Sequence, residues 1–414
     1  MKRRASPEIL APCGGMAQLQ AALDAGADAV YLGLGDWNMR SAAAANFNAK
    51  SLPVASRRAR ERGAKVYLTL NSIVFDGDLR RVARLLDRAA PHIDAAIVSD
   101  WAVAAACRER GVPWHASTQM SCSNTEAARF LASHGATRIV LARECTLAEI
   151  ARICAAMRKI GVEIEVFVHG AQCVAVSGRC FMSHSAYGAS ASLGRCQQPC
   201  RRPFMIVREA PAPGSERKPA EFSVGPHAIF SARDLCSLPF LDRIVAAGVA
   251  SLKIEGRARP PEYVREVVGA YREAVDAIAA GNFSPELAGA LQERCATVYH
   301  RSFGPGLMLG RPGADQWAGD AENLATRVKR NVGVVERDWP RAAVAQIRVQ
   351  DREFAIGDEL SIQGPITGDV RVKVESIRHD DERWTRARRG EWCTVPRPAR
   401  VRPGDRVFVF RSAF

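Results

Sequence analysis

Four cysteines lie within 28 residues near the middle of the chain and form two pairs, Cys173 with Cys180 and Cys196 with Cys200. Clustered thiolates in an intracellular protein are more often metal ligands or catalysts than disulfides. No histidine stands at a matching interval, so this donor set fits an iron–sulfur cluster or a structural zinc ion. Zinc ribbons usually use tight Cys-x-x-Cys pairs, and the wider spacing here favours iron–sulfur. Unligated thiols are the third alternative.

The opening residues and the other cysteines bear on the cellular compartment of the protein. The chain does not open with the charged and then apolar stretches of an export signal, which predicts a cytoplasmic protein with reduced thiols. No apolar run of about 18 residues occurs, so we expect no membrane span. Seven cysteines without ligand-like pairing are predicted to be small apolar residues: Cys13, Cys107, Cys122, Cys145, Cys154, Cys295 and Cys393.

Length and charge limit the class of protein. A chain of 414 residues is long enough for a large barrel with an appendage, and 47% hydrophobic residues suffice for its core. The formal charge of +14 would attract a polyanion, and RNA is the polyanion that fits an intracellular enzyme. Arginine-rich composition can also reflect genomic bias, so charge alone leaves nucleic-acid binding open.

Short apolar runs alternate with helical patterns, which predicts parallel strands joined by helices. The strands are expected near 8–11, 29–33, 65–71, 94–99, 114–118, 138–142, 163–168 and 251–255. The helices are expected near 16–26, 51–62, 78–90, 101–110, 124–135, 147–160, 238–248 and 260–281. Eight such units indicate an α/β fold, a (β/α)8 TIM-barrel-like catalytic domain over residues 1–329.

Two segments depart from this pattern. Residues 171–235 form a cysteine-rich insertion, whose stretch 209–219 has the composition of a flexible linker. After residue 330, short alternating runs at 344–349 and 370–374 are separated by turn signals, which predicts a small C-terminal all-β barrel over 330–414. Its pattern resembles the second domain of translation elongation factors, and such barrels occur in proteins that contact tRNA or rRNA.

In a (β/α)8 barrel the active site lies at the C-terminal ends of the strands, and Cys173 and Cys180 follow the seventh predicted strand. We therefore expect the metal site at the barrel mouth. The same rule collects further polar residues: Asn71, Asp100, Gln119, Arg143, Glu144, His169, Glu255 and Arg257. For any single one of them, capping or salt bridging is the ordinary alternative.

Residues 165–173 and 177–183 resemble the defining motif of the collagenase-like peptidase family U32, with Gln172 where the family usually has an aliphatic residue. Further resemblance runs through 7–12, 26–33, 194–201 and 251–257. Despite the family name, several members hydroxylate RNA, at the tRNA wobble uridine or at an rRNA cytidine. Other members use [4Fe-4S] clusters to hydroxylate a ubiquinone precursor without molecular oxygen.

The resemblance and the strand-end positions together predict a site. The four paired cysteines would hold a [4Fe-4S] cluster, with Cys236 as the alternative fourth ligand. His169, Glu255 and Arg257 are the predicted catalytic residues, with His169 or Glu255 handling protons. Arg143 and Lys253, together with Arg257, would bind the carboxylates of an oxygen donor, prephenate in the tRNA-modifying members. Arg179 and Arg201 would bind substrate phosphates or tune the cluster.

Three other functions stay open. A peptidase has to use a cysteine nucleophile or an unrecognised metal, because the chain has neither His-Glu-x-x-His nor Gly-x-Ser-x-Gly. A hydroxylase of a ubiquinone precursor shares the barrel signature. A zinc-containing RNA-binding factor would need no catalysis. The C-terminal β domain and the positive charge favour tRNA or rRNA as the partner, and a protein partner leaves no sequence signal.

Overall fold

The structure, a computed structural model, describes residues 6–202, 230–310 and 323–413. Its centre is a closed barrel of eight parallel strands, in which the last strand pairs with both the first and the seventh. The barrel strands are β1 (Glu8–Cys13), β2 (Ala29–Gly33), β3 (Lys65–Leu70), β4 (Ala95–Val98), β5 (Trp114–Ala116), β6 (Ala136–Val140), β7 (Glu163–Gly170) and β9 (Ser251–Ile254). The predicted TIM-barrel-like fold is confirmed.

Helices surround the barrel and cover the outward side chains of its strands. They are α1 (Met16–Asp24), α2 (Ser51–Glu61), α3 (Asp76–Ala89), α4 (Trp101–Glu109), α5 (Thr125–Ser133), α6 (Leu147–Arg158), α8 (Leu241–Ala247), α9 (Pro261–Ala280) and α10 (Pro285–Ala296). A short helix, α7 (Met182–Tyr187), lies in the cysteine-rich insertion instead. The sequence interpretation missed α7 and α10. Helix α10 nevertheless carries a start signal, since the Ser284 side chain accepts a hydrogen bond from the Leu287 amide and Pro285 opens the helix.

Two short strands extend the sheet beside the barrel. Strand β8 (Asp234–Cys236) runs antiparallel to the end of β7, and β10 (Phe303–Gly304) pairs with β8. Strands of three and two residues are too short for hydrophobic alternation to reveal them. Through these pairings, the chain that leaves the cysteine-rich insertion is held against the C-terminal end of β7.

Alternation along the barrel strands gives the barrel a partly polar interior. Side chains two residues apart share a face of a strand, so on β9 Ser251 and Lys253 point inward, and Glu255 continues the row beyond its end. A small apolar cluster lies among the polar groups: Leu10, Ala29, Tyr31, Tyr67, Ala95 and Ile97. The main apolar core lies outside the strands, under the helices.

The described part of the insertion, up to residue 202, contains α7 and three single 3-10 turns at Val176–Gly178, Ala191–Leu193 and Pro199–Arg201. It is therefore built of short turns that cover the barrel end. The linker predicted at 209–219 lies outside the described residues.

The C-terminal part has its own core and forms an eight-stranded antiparallel sheet with a separate two-stranded ribbon. Its strands are β11 (Arg327–Trp339), β12 (Val344–Val349), β13 (Phe354–Ala355), β14 (Glu359–Gly364), β15 (Gly368–Lys373), β16 (Ile377–His379), β17 (Glu382–Trp384), β18 (Arg386–Ala387), β19 (Trp392–Pro396) and β20 (Arg406–Ser412). Glu262 on α9 joins the two parts, because it accepts from Lys329 at 2.6 Å and from Gln363 at 2.8 Å. Among the described helices, none is long and apolar enough to cross a membrane.

Candidate functional site at the barrel mouth

A partly buried carboxylate lies at the barrel mouth, among arginines from three loops. Glu255 follows β9, and its Oε1 lies 3.2 Å from Nη2 of Arg40, in the loop after β2. Its Oε2 lies 3.7 Å from Nη2 of Arg143, after β6. Burial acts to raise the pKa of Glu255, but Arg40, Arg143, Arg257 and Lys253 together hold it below its ordinary value. Glu255 is therefore ionised near neutral pH.

Arg257 is the second fixed group of the mouth. It is buried, and its Nη1 donates to Oδ1 of Asn38 and to Oγ1 of Thr69, each at 2.9 Å. Burial lowers the pKa of its guanidinium to about 10. A Cβ at Gly14 would lie 1.9 Å from the Arg257 carbonyl oxygen, so the backbones can approach this closely only with glycine there. The guanidinium is thus held in one position.

A chain of buried ion pairs supports the mouth from inside the barrel. Lys253 donates to Oε1 of Glu165 at 2.8 Å, and the ammonium lies 4.7 Å from the ring centre of Tyr31. Glu165, which is fully buried, also lies 3.3 Å from Arg138, and Arg138 reaches Glu8 at 2.6 Å. Each charge has an opposite neighbour, which is the condition for burying it. The charge of Lys253 is therefore neutralised by Glu165, inside the barrel.

These groups enclose a cavity of about 80 Å³. Its polar lining includes Arg40, Thr69, Asn71, Ser117, Gln119, Arg143, Cys173, Lys253, Glu255 and Arg257. A larger cavity of about 350 Å³ adjoins it, and Met39, Asn71, Gln119 and Gly178 line both. The larger cavity also contains Arg179 and Cys180. Together they form a passage from the protein surface to Glu255.

The four paired cysteines differ from all the others in exposure. Cys173 is exposed and Cys180, Cys196 and Cys200 are partly exposed, whereas the remaining eight are buried. Burial raises the pKa of Cys200, Arg201 lowers it, and the nearby thiols of Cys173 and Cys196 raise it further. The thiols of Cys173, Cys196 and Cys200 are therefore close enough to influence one another electrostatically. Cys180 lies in the adjoining cavity.

The donor types at this end of the barrel fit a [4Fe-4S] cluster, since thiolates are the usual ligands of such clusters. The described residues contain no group of three histidine, cysteine or acidic side chains already arranged around a common metal position. Instead the Cys180 sulfur accepts from the Met182 amide at 3.4 Å, and the Cys196 sulfur from the Ser183 hydroxyl at 3.9 Å. The ligand assignment stays a prediction.

Two predicted residues lie away from the mouth. The His169 ring is buried among aromatic rings, with centroids 5.5 Å from Tyr271 and from Phe303, and burial lowers its pKa to about 4. Cys236, on β8, is also buried, and burial raises the pKa of its thiol to about 12. The structure thus does not bring the His169 ring to Glu255, nor Cys236 to the exposed thiols.

The two predicted phosphate-binding arginines have different surroundings. Arg179 is exposed and donates to the Gln119 carbonyl oxygen at 3.1 Å, at the larger cavity. Arg201 donates to the carbonyl oxygens of Gln172 and Ala232. Burial lowers its pKa to about 10, with a further effect of Arg301. Arg201 therefore fastens the insertion to the barrel end, and Arg179 is the one free to reach a substrate.

Sequence reasoning missed Arg40 and Asn38, which both come from the long loop after β2. The available signal was the rule that all eight loops at this barrel end contribute to a site. Asn71 and Gln119 were correctly collected as strand-end residues, and both line the cavity. Asp100, from the same set, caps α4 by accepting from the Ala102 and Val103 amides.

Residues 14–318 match the model of Peptidase family U32, a match that covers the barrel after β1, the mouth and the cysteine pairs. The chain belongs to peptidase family U32. This U32 chain is 37% identical over 412 residues to a collagenase of Porphyromonas gingivalis, across 97% of both chains. It is 31% identical to a tRNA hydroxylation protein of Bacillus subtilis, across 91% of this chain and 87% of the other.

Another U32 relative is a 23S rRNA 5-hydroxycytidine synthase of Escherichia coli. The two are 37% identical over 277 residues, which are 66% of this chain and 39% of the relative. The names of the relatives thus divide between peptide cleavage and RNA hydroxylation.

Proposed function

We propose that this U32 protein hydroxylates a pyrimidine of RNA, converting the wobble uridine of tRNA to 5-hydroxyuridine. The carrying observation is the composition of the mouth. Three guanidiniums, on Arg40, Arg143 and Arg257, face the single carboxylate of Glu255, beside the exposed thiol of Cys173. The similarity to a tRNA hydroxylation protein across 91% of this chain supports RNA as the substrate.

The charge balance of the mouth suits an anionic co-substrate. Lys253 is paired with Glu165, so the three guanidiniums and Glu255 leave a formal surplus of two positive charges. A dicarboxylate such as prephenate would neutralise that surplus, and guanidinium groups bind carboxylates through paired hydrogen bonds. The donor then loses its hydroxyl group to the base and gains the hydrogen that the base loses, so the exchange needs no external oxidant.

The residues of the mouth would position this exchange. Arg143 and Arg257 bind the carboxylates of the donor, and Arg179 binds a phosphate of the RNA at the outer cavity. Glu255 is ionised, so it orients Arg40 and Arg143 and is available to accept a proton rather than to donate one. A [4Fe-4S] cluster on Cys173, Cys180, Cys196 and Cys200 would supply one-electron transfer next to the donor.

Nucleoside mass spectrometry of tRNA and rRNA, from cells with and without the gene, tests the proposal. We expect 5-hydroxyuridine to disappear from tRNA without the gene and to return with the wild-type gene but not with Glu255→Gln. Loss of a hydroxylated cytidine from rRNA would support RNA hydroxylation but make an rRNA cytidine, and not the tRNA uridine, the target. Unchanged tRNA and rRNA profiles would contradict the proposal.

Peptide cleavage is the second candidate, because the collagenase relative matches 97% of this chain. A cysteine protease needs an imidazole beside its nucleophile. Across the described residues, no histidine ring is hydrogen-bonded to any of the four solvent-reaching thiols. Gelatin cleavage by purified protein, abolished by Cys173→Ser, would favour the peptidase over the hydroxylase.

A further inference from the structure

A third cavity, of about 440 Å³, lies outside the barrel between α2 and α3. Its volume is within the range of ordinary small-ligand pockets. Its floor is apolar and is formed by Leu34, Phe47, Leu52 and Leu85, and Trp37 lines it as well. We call this cavity the α2–α3 groove. None of its residues belongs to the mouth cavity or to the cysteine pairs.

The rim of the groove is cationic. Arg81, Arg84 and Arg88 are spaced three and four residues apart, so they lie on one face of α3, and all three line the groove and are exposed. Arg84 uses its Nε to donate to the Arg80 carbonyl oxygen at 3.3 Å, which leaves its terminal nitrogens for a ligand. Within the part of the chain that the structure describes, Arg88 has no ion pair.

Acidic residues do little to offset this charge. Asp78 lies 3.8 Å from Arg81, at the outer limit of an ion pair. Asp87 is paired with Arg110 at 2.8 Å and does not line the groove. Arginines above an apolar floor suit a ligand with a phosphate at one end and a flat apolar body at the other.

An aromatic contact defines one wall. The guanidinium carbon of Arg81 lies 4.9 Å from the ring centre of Trp37. Such an arginine–aromatic pair is a surface on which nucleobases stack, since every base has a flat π face. The wall therefore fits the base, and Arg84 and Arg88 fit the phosphates on either side of it.

The groove and the mouth share one loop. Trp37 lines the groove, and the next three residues belong to the mouth: Asn38 accepts from Arg257, Met39 lines both mouth cavities, and Arg40 pairs with Glu255. A ligand in the groove thus contacts the same short segment that positions the mouth. This continuity favours one extended substrate over two unrelated ligands.

We propose that the α2–α3 groove binds a nucleotide of the RNA strand that flanks the target base, with its base on Trp37 and its phosphates on Arg84 and Arg88. The inference rests on the proposed RNA substrate and assigns that substrate a second binding site outside the mouth. It explains why the cationic rim faces an apolar floor, an arrangement that a purely solvated helix face does not need.

Binding of a fluorescent single-stranded RNA of about ten nucleotides to the full chain, followed by anisotropy at several salt concentrations, tests the groove. Arg84→Gln/Arg88→Gln should weaken binding and reduce the slope of log affinity against log salt by about 1.4, since each phosphate contact contributes about 0.7 on a single strand. Trp37→Leu should weaken binding about tenfold with the slope unchanged, because stacking involves no counterion release.

The matched control is Arg152→Gln/Arg158→Gln, which removes the same charge from exposed positions on α6. If the groove pair and the control pair give equal affinities and slopes, the inference is wrong. If Trp37→Leu binds the RNA with normal affinity, the base does not stack on Trp37 and that part of the inference is wrong as well. The two proposals fail separately. RNA nucleosides that are unchanged in cells without the gene, with RNA still bound by the groove, would overturn the proposed hydroxylation alone. A lost nucleoside, with RNA binding unaffected by the groove variants, would overturn the groove alone.

Discussion

Arg40 and Glu255 form an ion pair of 3.2 Å across the barrel mouth, although they are 215 residues apart in the chain. Arg40 comes from the loop after β2 and Glu255 follows β9, and β1 separates those two strands. The pair joins the loop that also lines the α2–α3 groove to the strand that carries Lys253. The ion pair therefore holds the loop after β2 against the end of β9, and both contribute side chains to the mouth.

Removing the carboxylate of Glu255 should disable the site without unfolding the protein. In Glu255→Gln, Arg40 and Arg143 lose their common anion and repel each other, and misplacement of such groups by about 1 Å can cost about 100-fold in rate. We expect a loss of this size in 5-hydroxyuridine formed per chain. Glu61→Gln, at an exposed ion pair on α2, is the control. Equal activity of both variants would exclude Glu255 from the site.

Iron content tests the four exposed thiols. We expect Cys173→Ser, Cys180→Ser, Cys196→Ser and Cys200→Ser each to lower the iron bound by anaerobically purified protein, together with its visible absorbance. Cys393→Ala, at a buried position in the C-terminal sheet, should keep both. Cys236→Ala tests the alternative fourth ligand: iron lost there and kept in Cys200→Ser would replace Cys200 by Cys236.

The buried His169 should make the protein sensitive to acid. Its folded pKa of about 4 lies below the ordinary value, so between these two values the unfolded chain binds more protons and stability falls as pH falls. In His169→Phe the decrease between pH 7 and pH 4.5 should be smaller by about 2 kcal/mol. Urea unfolding at the two pH values measures this. Unchanged acid sensitivity, with turnover lost at pH 7, would return His169 to a catalytic role.

The buried ion pairs should respond unequally to loss of their members. Glu165→Leu leaves Lys253 without its partner, and stranding a buried charge costs about 3–5 kcal/mol. Lys253→Met should cost less, because Glu165 still pairs with Arg138. The free energies of unfolding of the two variants in urea at pH 7 give the comparison. The reverse order would mean that Glu165 depends on Lys253 and that Arg138 does not neutralise it.

Neighbouring glycines should differ in their tolerance of alanine. In Gly14→Ala the new Cβ would lie 1.9 Å from the Arg257 carbonyl oxygen, a backbone atom, so the Arg257 segment must shift and activity should fall at least tenfold. In Gly15→Ala the nearest atom, at 3.3 Å, is the flexible end of Gln18. That variant should keep nearly full activity. Equal activities would mean that the position of Arg257 does not matter.

Much of the site was predictable because strand order along the chain and barrel geometry determine which loops meet. Repeated apolar runs indicated the eight strands, and the strand-end rule then placed Arg143, Glu255 and Arg257 together. The same rule misplaced the His169 ring. Alternation along a strand directs neighbouring side chains to opposite faces, and the register shift between Phe167 and His169 on β7 cannot be read from the sequence.

By itself, the sequence determined the fold class, the family signature and the cysteine spacing, since these depend on local pattern and residue type. Only the tertiary structure decided which charges share the mouth. Arg40 meets Glu255, and Lys253 meets Glu165, through contacts between residues far apart in the chain. Such contacts depend on how the closed barrel aligns its strands, and burial then sets the ionisation of each group. The groove at Trp37 likewise exists only where two helices and a loop pack together.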